Sequence, residues 1–108
     1  EDMRAMRLLV MFDLPTGNSS ERKSYARFRK FLINDGYYME QFSVYSRILS
    51  SRDRTQSHLD RLRANLPSAG AVTALLLTEK QYENRVVLVD TRCTRSYEQV
   101  GPQLTISF

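Results

Sequence analysis

The sequence predicts a small α+β fold with the element order βαββαβ and one further strand near its end. Three observations predict it. An early apolar run stops at a Pro/Gly turn, two segments carry helical apolar spacing and close on Gly or Pro, and aromatic or β-branched stretches lie between and after them. At 108 residues the chain has room for one hydrophobic core. Residues 1–108 are therefore read as a single domain, with the core over about 6–90 and a C-terminal segment over 91–108.

The first strand is Met6 to Phe12, continuously apolar after Arg7, ending at Asp13-Leu14-Pro15-Thr16-Gly17. A strand with both faces covered reads this way before a turn, so this one is expected at the centre of the sheet. Asn18, with Glu21 three residues on, resembles a capping box and opens a helix that runs to Asp35-Gly36. Tyr25, Phe28 and Leu32 form its apolar stripe, widened by Phe31.

Tyr37 to Leu49 is rich in aromatic and β-branched residues and reads as a short strand and a longer one joined near Glu40-Gln41. A second helix is expected from about Arg52 to Leu66, with Leu59, Leu62 and Leu66 at helical spacing and a stop at Pro67-Ser68-Ala69-Gly70. Ala71 to Thr78 reads as a buried strand and Asn84 to Asp90 as another. From Thr91 the chain is polar until Leu104-Thr105-Ile106-Ser107-Phe108, which alternates as an edge strand does. Pairing that strand with a second copy would cover an aggregation-prone edge, so a homodimer is expected. Strand, helix, strand pair, helix, strand is the ferredoxin-like split.

Composition removes several function classes. No apolar run is long enough to span a bilayer, and the opening residues lack the basic and apolar regions of a secretory signal, so a cytoplasmic protein with no membrane partner is expected. Cys93 is the only cysteine, which excludes an intramolecular disulfide and a multi-cysteine zinc site. His58, the only histidine, lies in the second helix and reads as a solvated side chain. No P-loop, dinucleotide fingerprint or Ser/Cys–His arrangement is visible.

Two features carry chemistry. Asp13 sits where the first strand emerges, just before Pro15 fixes the turn. A carboxylate there can ligate Mg²⁺, which favours one or two carboxylates plus water, and a two-fold dimer would bring two copies of Asp13 together. The alternative is that Asp13 accepts hydrogen bonds from the backbone of Thr16 to Ser20. The second feature is the first helix. Between Ser19 and Ile33 it carries Arg22, Lys23, Arg27, Arg29 and Lys30 but only one acid, Glu21. Intrahelical ion pairs cannot absorb that charge. With a net charge of +4 and a pI near 9.5, the chain points to a phosphate backbone as partner. Arg22, Lys23, Arg27 and Lys30 are the expected nucleic-acid contacts. Such contacts read no bases and depend strongly on salt.

These residues resemble a known family. Met6 to Pro15, Glu21-Arg22-Lys23 with Phe28-Arg29-Lys30-Phe31-Leu32, Gln41-Phe42-Ser43-Val44-Tyr45 and Thr78-Glu79-Lys80-Gln81-Tyr82 are together similar to the Cas-two (Cas2) proteins of CRISPR adaptation, in particular the forms that accompany Cas-nine systems. The resemblance implies a ferredoxin-like homodimer in antiviral defence, with C-terminal strands packed across the subunit boundary. It implies a scaffold in spacer acquisition that binds double-stranded prespacer DNA between dimers of the Cas-one (Cas1) integrase. As an alternative it implies a Mg²⁺-dependent endonuclease, acting on RNA or DNA, with Asp13 at the metal-ligand and catalytic position; Arg22 matches a position touching DNA backbone. Phe12, Ser24 and Met39 depart from the Tyr, Arg and Arg that some nuclease-active relatives carry. Those departures put the scaffold role ahead of the nuclease role.

Overall fold

The computed structural model describes residues 4–92. Strand β1 (Met6–Asp13) leads to helix α1 (Ser19–Asn34), then β2 (Tyr38–Gln41), β3 (Val44–Leu49), a 3-10 turn at Arg52–Arg54, α2 (Thr55–Ala64), β4 (Ala71–Thr78) and α3 (Glu79–Glu83). The four strands form one antiparallel sheet in the order β2-β3-β1-β4. This is the ferredoxin-like arrangement, and β1 lies inside it, between β3 and β4.

Period two along β1 divides its side chains between two faces. Met6, Leu8, Val10 and Phe12 point into the core and meet Phe28 and Leu32 of α1, Tyr45 and Leu49 of β3, Leu62 of α2, and Tyr37. Arg7, Leu9, Met11 and Asp13 point to the other face, which carries no long helix among the described residues.

Local signals place α1 well. Asn18 accepts a hydrogen bond from the Glu21 N–H at 2.8 Å, and the Glu21 carboxylate reaches back one residue beyond the expected cap to the Gly17 N–H, also at 2.8 Å. The helix ends in a Schellman motif. Gly36, at φ 94°, supplies the left-handed residue, Tyr37 N–H donates to the Leu32 carbonyl and Gly36 N–H to that of Ile33.

Four expectations are corrected. The β2–β3 connection is Phe42-Ser43, two residues later than expected, with Ser43 at φ 66° closing the turn. The second helix is shorter at both ends: Arg52–Arg54 winds as 3-10, and Leu66, half exposed, lies past its end. Strand β4 is partly exposed because it is an edge strand whose outer side has no neighbour among the described residues. Asn84 to Asp90 forms no strand. Residues 79–83 instead wind into α3, with a reciprocal capping box between Thr78 and Gln81. The chain then crosses the open sheet face rather than running along the outer edge of β4 or β2. It lines a groove of about 860 Å³ with Leu9, Met11, Val44 and Leu77, and Arg92 donates to the Glu40 carbonyl at 2.6 Å. The expected strand at 104–108, and Cys93, lie outside the described residues.

Candidate nucleic-acid interface

Phe28 and Leu32 anchor one side of α1 to the sheet, so helical geometry turns Lys23, Arg27 and Lys30 outward. Arg22, Lys23, Arg27, Arg29 and Lys30 are all exposed. Arg22, in the first turn, makes one hydrogen bond to the Thr16 carbonyl at 3.3 Å. Among the described residues, none of the five pairs with a carboxylate: the ion pairs are those of Arg7, His58, Arg61, Arg63 and Arg92. Arg22 to Lys30 spans roughly 12 Å of helix axis at 1.5 Å per residue, beginning where the helix dipole is positive. Lys23, Arg27 and Lys30 thus share one side of α1, with Arg22 at the helix start toward the Tyr25 side, and none of the four is compensated by a carboxylate among the described residues.

Asp13 closes β1 opposite Ala71 and is exposed. The turn N–H groups of Gly17 and Glu21 donate to Glu21 and Asn18 instead, and among the described residues the Asp13 carboxylate makes no hydrogen bond or ion pair. Gly70, at φ 100°, packs so closely that a Cβ there would stand 2.6 Å from the Asp13 carbonyl oxygen. No three His, Cys, Asp or Glu side chains converge on a metal position among the described residues. Among the described residues, then, Asp13 is an exposed carboxylate that belongs to no group of three potential metal ligands.

Arg7 lies inside an apolar run and has no functional reading from the sequence, yet it is 4 % exposed and holds the open face together. Its guanidinium makes a two-point contact with the Glu79 carboxylate, at 3.0 and 2.6 Å, and donates to Tyr38 and, at 3.4 Å, to Ser46. It also lies 3.9 Å from the centre of the Tyr82 ring, whose hydroxyl donates to Glu40 at 2.7 Å. Arg85 stacks on the same ring, also at 3.9 Å. Burial opposes the Arg7 charge, but the hydrogen bonds to Glu79 and Tyr38 outweigh it and raise the guanidinium's pKa. Burial, followed by the hydrogen bond to Glu40, pushes the Tyr82 hydroxyl up as well. An arginine alone in a strand of apolar residues is the signal for this cluster.

His58 is likewise corrected. It is buried, with Nδ1 3.9 Å from the Asp35 carboxylate, which is held by Arg61. Burial, and then the nearby guanidiniums of Arg47 and Arg61, push the imidazole pKa down, so it is neutral at pH 7.

Comparison with known proteins gives the family. Residues 6–85 match the family model described as "CRISPR associated protein Cas2". A protein named CRISPR-associated endoribonuclease Cas2 from Acidovorax ebreus is 55% identical over 84 residues, covering 78% of this chain and 82% of its own. Proteins of the same name from Streptococcus mutans and Ligilactobacillus salivarius are 44% and 48% identical; the first covers 82% of both chains, the second 73% of this chain and 78% of its own. Among the described residues no helix is long and apolar enough to cross a membrane. The match over the whole ferredoxin-like core, with the motifs of β1, α1 and the β2–β3 hairpin inside it, establishes that the chain belongs to the CRISPR-associated Cas2 family.

Proposed function

We propose that the chain is a subunit of CRISPR adaptation that dimerises, grips the backbone of double-stranded prespacer DNA and scaffolds the Cas1 integrase. The observation that carries this is the set of α1 cations Arg22, Lys23, Arg27, Lys30, at the surface and without a carboxylate partner among the described residues. A helix that only faces solvent gains from compensating acids at i±4; one that meets phosphate is weakened by them. Dimerisation is supported by the open sheet face. Leu75 and Ile48 are half exposed, and Val86, Leu88 and Val89 in the segment that crosses this face are mostly exposed. A second copy packed there would cover apolar surface that the described residues leave exposed.

The test is DNA binding by the charge-reversed R22E/K23E/R27E variant across a salt series. Removing one phosphate-binding cation flattens the log–log salt slope by about 1. The expected result is weaker binding and a slope reduced by up to about 3. An unchanged slope in a folded variant would refute the proposal.

A second reading is a metal-dependent endonuclease acting on RNA or DNA. The free Asp13 carboxylate at the rim of the open face favours it, since a copy packed there could supply the second carboxylate. The endoribonuclease in the relatives' names supports it too. When bound, Mg²⁺ would supply Lewis-acid activation of a phosphodiester, and Asp13 would hold it.

A further inference from the structure

Four buried polar atoms have no hydrogen-bond partner among the described residues: Asp35 Oδ2, the Tyr37 hydroxyl, Thr55 Oγ1 and His58 Nδ1. They lie on two segments that meet. Asp35 caps the C-terminal end of α1 and Tyr37 leads into β2, while Thr55 and His58 stand three residues apart on α2 and so share a face of it. His58 Nδ1 lies 3.9 Å from Asp35 Oδ2, and the other oxygen of that carboxylate is held by Arg61 of α2. Tyr37 shares these surroundings. Burial and then the Asp35 carboxylate push its hydroxyl pKa up to about 12, against the pull of Arg47 and Arg61, the same two guanidiniums that act on His58. Tyr37 is 3 % exposed, so its hydroxyl has no route to bulk solvent.

Buried polar groups are almost always satisfied, and four unsatisfied ones at one junction would be costly. The 3.9 Å gap is too wide for a direct hydrogen bond, but it suits a bridge: an oxygen about 2.8 Å from each atom would subtend an angle of about 90°. The chemistry of the four atoms names the bridge. Asp35 Oδ2 can only accept, neutral His58 with its proton on Nε2 accepts at Nδ1, and the hydroxyls of Tyr37 and Thr55 can each donate. Their complement is one small neutral group with two donors and two acceptors, which is water. The guanidiniums of Arg47, Arg61 and Arg54, all of which act on His58, disfavour a cation there, and the Asp35 carboxylate disfavours an anion.

We propose that one buried water molecule is built into this junction, donating to Asp35 Oδ2 and His58 Nδ1 and accepting from the hydroxyls of Tyr37 and Thr55. The water joins the C-cap of α1 to α2 and to the entry of β2, at the end of α1 where Arg47 of β3 also donates to the Asp35 carbonyl. It holds that end of the helix from outside the apolar core, and it does so whatever α1 binds.

Two measurements on the full chain at pH 7 test this. A crystal structure of the wild-type chain should show a single density peak about 2.6–3.2 Å from both Asp35 Oδ2 and His58 Nδ1. Oxygen-17 relaxation dispersion of the solvent, which counts waters held inside the folded protein, should find one long-lived water fewer in Y37F/T55V, a variant that deletes only the two hydroxyl donors. No peak at that position, or a direct His58–Asp35 hydrogen bond in its place, would overturn the proposal. A peak closer than about 2.5 Å to the carboxylate oxygen would mark a metal ion and overturn it as well. Equal water counts in the wild type and a folded Y37F/T55V would also overturn it, and if that variant does not fold the wild-type crystal structure decides alone.

Discussion

Replacing Arg7 by Met should be among the most damaging single changes in the described part of the chain. Methionine suits the volume and the apolar strand, so the change isolates the loss of charge and hydrogen bonds. The guanidinium is 4 % exposed and its partner Glu79 is 24 % exposed, so the pair is mostly withdrawn from water without being sealed from it. Without Arg7, Glu40 still accepts hydrogen bonds from Tyr82 and Ser46, whereas both hydrogen bonds from Arg7 to the Glu79 carboxylate disappear. Breaking a buried pair by removing one partner costs about 3–5 kcal/mol, and the partial exposure of Glu79 favours the lower end, about 3 kcal/mol. With a urea dependence of about 2 kcal/mol per M, the unfolding midpoint should fall by roughly 1.5 M. Circular dichroism in urea at fixed chain concentration measures it, so that any association between copies contributes equally. The double variant R7M/E79Q removes the stranded charge and should recover part of the stability. A single-variant cost below about 1 kcal/mol, or a double variant no more stable than R7M, would refute the idea that Glu79 is held by Arg7 at the cost of its own hydration.

Two further outcomes follow from the site geometry. His58 has a folded-state pKa below its unfolded value near 6.5, because burial and then Arg47 and Arg61 disfavour the imidazolium against the opposing pull of Asp35. The unfolded chain therefore takes up the proton first, and the stability His58 contributes is complete above that pH and is lost as pH falls below it. Urea midpoints between pH 7 and pH 5 should show this decline, flattened in H58Q; an identical slope in both would contradict the assignment. Asp13→Asn should leave stability in urea within about 0.5 kcal/mol of the parent, since the carboxylate has no partner among the described residues, and should leave the salt slope of DNA binding unchanged. Any Mg²⁺-dependent cleavage should disappear. A fall in stability above about 1 kcal/mol would return Asp13 to a turn-holding role.

Residues 6 to 36 show how much of the fold local chemistry decides. The apolar run of β1, the Asn18 cap with Glu21, the Tyr25-Phe28-Leu32 stripe and the Gly36 stop each depend on neighbours within a turn or two, and each appears in the structure where the sequence places it. The basic strip on α1 is legible for the same reason: five cations with one acid on a single helix have their spacing set by the helix itself.

The open face is not legible this way. Arg7 finds Tyr38 31 residues away, Ser46 39 residues away and Glu79 72 residues away, and only the sheet order β2-β3-β1-β4 brings them together. His58 reads as solvated because Asp35 and Arg47, which surround it, come from other elements. Phe42 is legible as an aromatic in a strand-rich stretch, but its exposure and its stack on Tyr25 follow from where the hairpin docks on α1. The Val86–Val89 stretch carries a strand's composition, and a strand needs a free edge beside it as well as that composition. The sequence by itself determined the order of the elements through β4, the central strand and the charge of α1, because those are set by periodicity and capping. Tertiary structure alone decided which polar groups became buried partners and where the chain after α3 runs, because both depend on surfaces that exist only once distant strands have paired.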